Sequence, residues 1–176
     1  MQGVSRYKVQ LLPHDTAWKI EFEQLRAQIF SLWQDNVLDI QHVGSTAVPT
    51  ICAKPILDVA VLLRSVDQMN VQALEQLGYE YRGPSGDTQD RYVYIRWHES
   101  STPDNQIALT HIHCYEPSAQ GFRLQVGFRD YLIAHPDAAA TYNALKSQLA
   151  AQYPDDRFAY SAGKADFIRS ILAKLE

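Results

Sequence analysis

The chain has 176 residues, 46% hydrophobic and 20% charged, which fits an ordinary globular protein and argues against a disordered or fibrous one. With 16 basic against 20 acidic residues the formal net charge is -4, without the basic excess typical of non-specific nucleic-acid binders. Cys52 and Cys114 form neither a disulfide framework nor a Cys-x-x-Cys pair, the N-terminal stretch lacks a signal-peptide core, and no apolar run approaches the about 18 residues of a membrane span. Reduced thiols, a cytoplasmic location, no membrane partner and one domain over residues 1–176 are therefore expected.

Tyr7 to Leu12 (YKVQLL) alternates loosely and predicts a short edge strand closed by Pro13. Asp15 or Thr16 then caps a helix whose apolar positions Trp18, Phe22, Leu25, Ile29 and Leu32 or Trp33 recur every three or four residues. It ends near Asn36, and Val37 to Val43 (VLDIQHV) reads as a strand. Beyond Gly44 and Ser45, Pro49 and Pro55 leave room for no more than a helical turn between loops. Ile56 to Leu63 (ILDVAVLL) is apolar on both faces apart from Asp58, which predicts a central strand. Asp67 is expected to cap a helix through Met69, Ala73, Leu74 and Leu77 that Gly78 stops.

Tyr79 to Arg82 predicts a third strand, GPSGDTQD a polar loop and Arg91 to Trp97 a fourth strand. After HESSTPDNQ, Ile107 to Tyr115 (IALTHIHCY) predicts a fifth, with Leu109, His111, His113 and Tyr115 on one face and Cys114 on the other. Everything beyond Pro117 reads helical. One helix carries Leu124, Phe128, Tyr131 and Leu132 and ends at His135. Pro136 opens the next, with Tyr142, Leu145 and Leu149, and after YPDD a last helix carries Tyr160, Phe167, Ile171 and Leu175. The fold class is α+β: a small mixed sheet of about five strands with packed helices and a helical C-terminal third.

Most of the candidate chemistry lies between His42 and Leu63. A Gly-Ser turn leaving a strand presents backbone N–H groups to an anion, and a carboxylate on the next strand holds a cation beside it. Gly44 and Ser45 fit that role or simply a tight turn, and no Gly-Lys-Ser/Thr of a P-loop follows them. Asp58 inside an apolar strand would cost several kcal/mol unpaired, so it needs a metal ion, or a salt bridge to Lys54 or an arginine. Lys54 reads equally as a phosphate ligand and as a solvated loop lysine. The His-x-His of His111 and His113 either converges on one metal or anion or packs across strands, and His42 is a weaker candidate to join it. Arg91 offers a bidentate fork to phosphate or is a strand-edge surface residue. Arg129 reads first as the ion-pair partner of Asp130, with anion ligation by Arg129 or Lys164 the lesser reading.

The blocks HVGSTAVPTICAKPILDV, THIHCY, FRDYLIAHPDAAATYNALKSQLA and FAYSAGKADFIRSIL carry a family likeness. From about Tyr7 to its end the chain resembles the GrpB (glutamate-rich protein B) family, placed by fold in the nucleotidyltransferase superfamily. In that superfamily a Gly-Ser turn grips a nucleotide triphosphate, an Asp-x-Asp pair on the next strand holds divalent metal, and a neighbouring strand adds a third carboxylate. Gly44 and Ser45 match the turn and Asp58 the first carboxylate. The second falls on Ala60, and the strand expected to carry the third has His111 and His113. Magnesium prefers carboxylates to imidazole, so this departure weakens the case for catalysis of the superfamily type.

The resemblance implies a nucleotidyltransferase-like protein that binds a nucleotide or another phosphorylated small molecule with a divalent metal, Mg or Mn, or Zn, and transfers a nucleotidyl or phosphoryl group. Asp58 would be catalytic and hold the metal with His111 and His113, while Gly44, Ser45, Lys54 and Arg91 hold phosphate. Two alternatives stand beside it: a non-catalytic nucleotide- or anion-binding module of the same fold, and a histidine-containing transition-metal hydrolase.

Overall fold

The computed structural model describes residues 2–85 and 89–175. Its sheet is built from β1 (Val4–Ser5), β2 (Val37–Val43), β3 (Leu57–Leu63), β4 (Tyr79–Ser85), β5 (Arg91–Trp97) and β6 (Ile107–Tyr115), with the longer strands ordered β2-β3-β6-β5-β4. β3 and β6 run parallel and the other pairs antiparallel, so the sheet is mixed. β3 is internal, and its Leu57, Val59, Ala60, Val61 and Leu63 are all buried, as a run apolar on both faces requires.

Alternation along the strands gives the sheet two unlike faces. On one, Val59, Val61 and Leu63 pack with Ile112 and Cys114 of β6 against Phe22, Leu25, Ile29 and Trp33 of α1 (Ala17–Trp33), together with Leu74 of α2 (Val71–Glu75). The other face carries Asp58, Ala60, His111, His113 and Tyr115, and the C-terminal helices cover it. These are α3 (Gln120–Ala134), α4 (Pro136–Gln152), α5 (Arg157–Gly163) and α6 (Ala165–Leu172). Ala60 and Tyr115 pack with Phe122 and Val126 of α3, while Leu132, Ala139 and Tyr142 close a second apolar cluster with Val48 and Ile51.

Several local expectations are corrected. Tyr7–Leu12 forms no strand. Val9 donates its N–H to the Pro154 carbonyl at 2.8 Å and packs with Leu149 and Tyr160, so the segment follows the helices rather than the sheet. Its one ladder contact is a bridge between Leu12 and Ala53, and the extra strand is β1, making six where about five were expected. Asp67 sits in a 3₁₀ turn, and the cap of α2 is Asn70, whose side chain accepts from the Ala73 N–H at 3.2 Å.

β4 continues past Arg82 to Ser85, because Gly83, at φ +73°, absorbs a bulge and lets pairing resume. Of the remaining positions of the expected polar loop, 86–88 lie outside the described residues, and Gln89 and Asp90 lead into β5 outside any strand. The last helix is two, α5 and α6, with the poor helix former Gly163 at their junction. Among the described residues, no helix is long and apolar enough to cross a membrane.

Candidate functional site

The parallel register of β3 and β6 sets Asp58 beside His111 and Ala60 beside His113. His111 Nδ1 lies 3.1 Å and His113 Nε2 3.5 Å from Asp58 Oδ1. One ligand atom from each of the three residues falls within 4.8 Å of the others. Burial alone would raise the Asp58 carboxyl, but hydrogen bonds from His111 and then His113 outweigh it and hold the pKa well below the usual carboxylate range. Its side chain keeps 30% exposure, toward a cavity. Burial lowers the pKa of His113 more than the nearby Asp58 raises it, and His113 Nδ1 is buried without a hydrogen-bond partner.

Gly44 closes the site from β2. Its φ of +70° is in the left-handed region, and a Cβ there would stand 2.6 Å from Asp58 Oδ2, so both conformation and space require glycine. The 3₁₀ turn Ser45–Ala47 follows. Behind it, buried Thr46 Oγ1 lies 2.9 Å from His42 Nε2. His42 stacks on Phe22 of α1 at 5.0 Å between ring centroids, and burial chiefly pulls its pKa down to about 4. It therefore braces the turn from the opposite side of the sheet as a neutral ring and does not join His111 and His113.

Between the sheet and the C-terminal helices lies a cavity of about 440 Å³. Its polar lining is Gly44, Ser45, Thr46, Asp58, His111, His113, Lys54 and Lys164. Leu124, Phe128, Leu132, Ile168 and Leu172 supply much of the apolar lining. Lys54 and Lys164 place their ammonium groups 5.5 and 4.3 Å from the centroid of Tyr160. Burial lowers both, Lys164 to about 8 with help from the like charge of Lys54. Gln125 also lines the cavity, and its Oε1 is buried without a partner.

The motifs of the sequence do not point to Lys146. Fully enclosed on α4, it donates from Nζ to Ser45 Oγ at 3.2 Å and to the Cys52 carbonyl. The signal was present: Ala139, Tyr142, Lys146 and Leu149 share one buried helical stripe, and a lysine in such a stripe needs a reason.

A family model described as GrpB protein matches residues 8–174. The chain belongs to the GrpB family. It is 32% identical over 179 residues to the glutamate-rich protein GrpB of Alkalihalophilus pseudofirmus, covering 99% of this chain and 100% of that one. It spans about half the length of two other curated relatives that it matches, the UPF0157 protein YqkA of Bacillus subtilis and a dephospho-CoA kinase of Mycolicibacterium paratuberculosis. A solved GrpB from Enterococcus faecalis superposes with a TM-score of 0.82 at 30% identity, over 94% of this chain and 96% of that one. The Cid1 poly(U) polymerase with magnesium and 3'-dATP bound gives 0.53 at 15% identity, over 87% of this chain and 49% of that one. That likeness shows a nucleotidyltransferase-like fold.

In this GrpB chain Ala60 is buried beside Val43, Tyr115 and Ala119, so β3 carries no second carboxylate. Arg91 shares the sheet face of His113 but donates to Ser85 Oγ at 3.2 Å and does not line the cavity. Arg129 is also outside it, donating from Nη1 to the His42 carbonyl at 2.7 Å and to Gln41 Oε1 at 2.9 Å, while Asp130 takes its Nη2 at 2.7 Å. It clamps α3 to β2. Both cysteines are free, and Cys114 lies on the α1 face, its thiol pushed up by burial.

Proposed function

We propose that this GrpB protein binds a nucleotide or another phosphorylated small molecule in the cavity, beside one divalent metal ion, and transfers its phosphoryl or nucleotidyl group. The observation that carries the reading is the convergence of Asp58, His111 and His113 next to the Gly44–Ser45 turn in one cavity. The donor set bears on the metal. One carboxylate and two imidazoles suit zinc, manganese or iron with coordination positions left open, whereas magnesium favours an all-oxygen shell and Ala60 withholds the second carboxylate. Bound there, such an ion supplies Lewis-acid polarisation of a phosphoryl oxygen.

The chain's own residues account for the rest. The Gly44–Ser45 turn and the Ser45 hydroxyl receive phosphate oxygens. Lys54 and Lys164 neutralise their charge, which the single carboxylate of the cavity cannot do. Gln125 Oε1 accepts an N–H or O–H of the ligand's other end, and the leucines, Phe128 and Ile168 keep water from the reacting atoms. The two free thiols agree with a cytoplasmic location.

Calorimetric titration of the manganese- or zinc-loaded protein with nucleoside triphosphates tests the reading. Metal-dependent binding that Asp58→Asn removes is expected, and absence of binding with every metal overturns it. Ala60 favours a second reading, a binding module without turnover. Measurable transfer or hydrolysis that disappears in folded Asp58→Asn rules that module out.

A further inference from the structure

Lys146 is, among the described residues, the one charged side chain that is buried, with 1% exposure. Among the described residues, no carboxylate pairs with it. Nζ donates to the Cys52 carbonyl and to Ser45 Oγ at 3.2 Å, and lies 5.1 Å from the Tyr142 ring centroid. The titratable groups facing it are Tyr142 on its own helix, the Cys52 thiol on the loop and Lys164 at the α5–α6 junction, which repels it. An ammonium so placed lacks the counter-charge that buried charges require.

Support of the loop does not explain it. Asn143, one helical turn away on the same helix, already holds the loop by accepting the Cys52 N–H on Oδ1 at 2.8 Å. Lys146 reaches beyond Cys52 to Ser45, whose hydroxyl is at the cavity wall and also meets the Tyr142 hydroxyl.

We propose that Lys146 is a positioning residue for the anionic end of the ligand, acting through Ser45, and that the bound anion is its missing counter-charge. With Lys146 donating to one lone pair of Ser45 Oγ and the Tyr142 hydroxyl to the other, the serine proton is left to point at a phosphate oxygen. The inference rests on reading the cavity as a phosphate site. It implies coupling to protons. Burial, with the repulsion of Lys164, brings Lys146 to about 7, so above neutral pH the empty site holds it mostly uncharged. An anion beside Ser45 restores the charge, and a proton is taken up with the ligand.

The test uses the manganese-loaded full chain and inorganic pyrophosphate, titrated at pH 8 in two buffers of different ionisation enthalpy. The probe's own proton equilibria cancel between variants. Wild type is expected to take up a large fraction of a proton more than Lys146→Met and to bind about tenfold or more tightly, as loss of a charge-assisted bond implies. Asn143→Ala is expected to melt earlier yet keep the proton uptake. Equal uptake and affinity in Lys146→Met, or loss of uptake in Asn143→Ala, overturns the role of Lys146 while the phosphate site stands. Failure of wild type to bind pyrophosphate overturns both. Should Lys146→Met not fold, the Lys146 side-chain resonance of the zinc-loaded wild type, titrated against pH by NMR with and without pyrophosphate, decides. Pyrophosphate is expected to move its titration midpoint upward, and an unmoved or lowered midpoint overturns the proposal.

Discussion

The two faces of the sheet share the same strands and face opposite demands. Toward α1, Val59, Val61, Ile112 and Cys114 close against Phe22, Leu25 and Ile29 in an apolar cluster. Toward the C-terminal helices, Asp58, His111 and His113 alternate with those residues and open onto a cavity that Lys54 and Lys164 also line. Alternation lets one strand place an apolar packing face and a polar cluster a single residue apart. Substitutions one position apart along β3, or across the sheet, should therefore damage different properties.

The largest effect on stability is expected from Ile29→Ala, which empties a fully buried site on the α1 face and should cost about 2–5 kcal/mol in urea unfolding. The molecules that stay folded should bind manganese within about twofold of wild type, since a distant core vacancy leaves the ligand atoms in place. Asp58→Asn should do the reverse. It removes the one carboxylate of the triad, lowering manganese or zinc affinity by more than about 100-fold, with a smaller fall in the unfolding midpoint than Ile29→Ala gives, since the amide oxygen still accepts a hydrogen bond from His111 while the charge assistance is lost. If Ile29→Ala lost metal affinity to a similar degree, the separation of the two faces would be broken.

Gly44→Ala comes next and should cross the divide. A side chain there is strained at φ +70° and meets Asp58 Oδ2 at 2.6 Å. Destabilisation of about 1–3 kcal/mol should accompany weaker metal binding, because relief of the clash displaces the carboxylate. A variant that lost stability yet bound metal normally would show that Asp58 has room to move.

Smaller, and specific to the cavity face, is a pH dependence from Lys146. Its pKa falls from 10.5 in the unfolded chain to about 7 in the fold. Between those values the unfolded chain carries the proton and the fold does not, so stability rises with pH, by up to about 1.4 kcal/mol per unit. Below pH 7 both states are protonated and the penalty is present in full. Urea unfolding at pH 7, 8 and 9 should show wild type gaining on Lys146→Met across the series. A constant difference would mean that Lys146 keeps its charge in the fold.

The sequence exposed much of this division and hid particular parts of it. ILDVAVLL and IALTHIHCY announce their faces because alternation is local, and it alone places His111 and His113 on one side of the sheet. Alternation in VLDIQHV also set His42 opposite Val43, but which of those sides carries the site depends on pairing with β3 and on where α1 packs. Lys146 was hidden for a like reason. Its partners, Ser45 and Cys52, are joined to it only by the docking of α4 on the loop after β2. The stripe of Tyr142, Lys146 and Leu149 marked a buried lysine without saying what it met. At Tyr7–Leu12 a weak alternation lost to contacts with Pro154, Leu149 and Tyr160, which lie far along the chain.

The smallest expected effect concerns the seam between the two regions. Arg129, with 15% of its side chain exposed, ties α3 of the cavity side to the backbone of β2 through the His42 carbonyl. Its pairing with the mostly exposed Asp130 adds little, since such pairs are largely offset by solvent, so the carbonyl and Gln41 bonds carry the contribution. Arg129→Met should lower stability by about 1 kcal/mol. Pyrophosphate affinity should stay within about twofold, because the guanidinium points into the seam and away from the cavity. A loss of affinity near tenfold without further loss of stability would instead make Arg129 an anion ligand, and would move the boundary of the site from the cavity wall to the edge of β2.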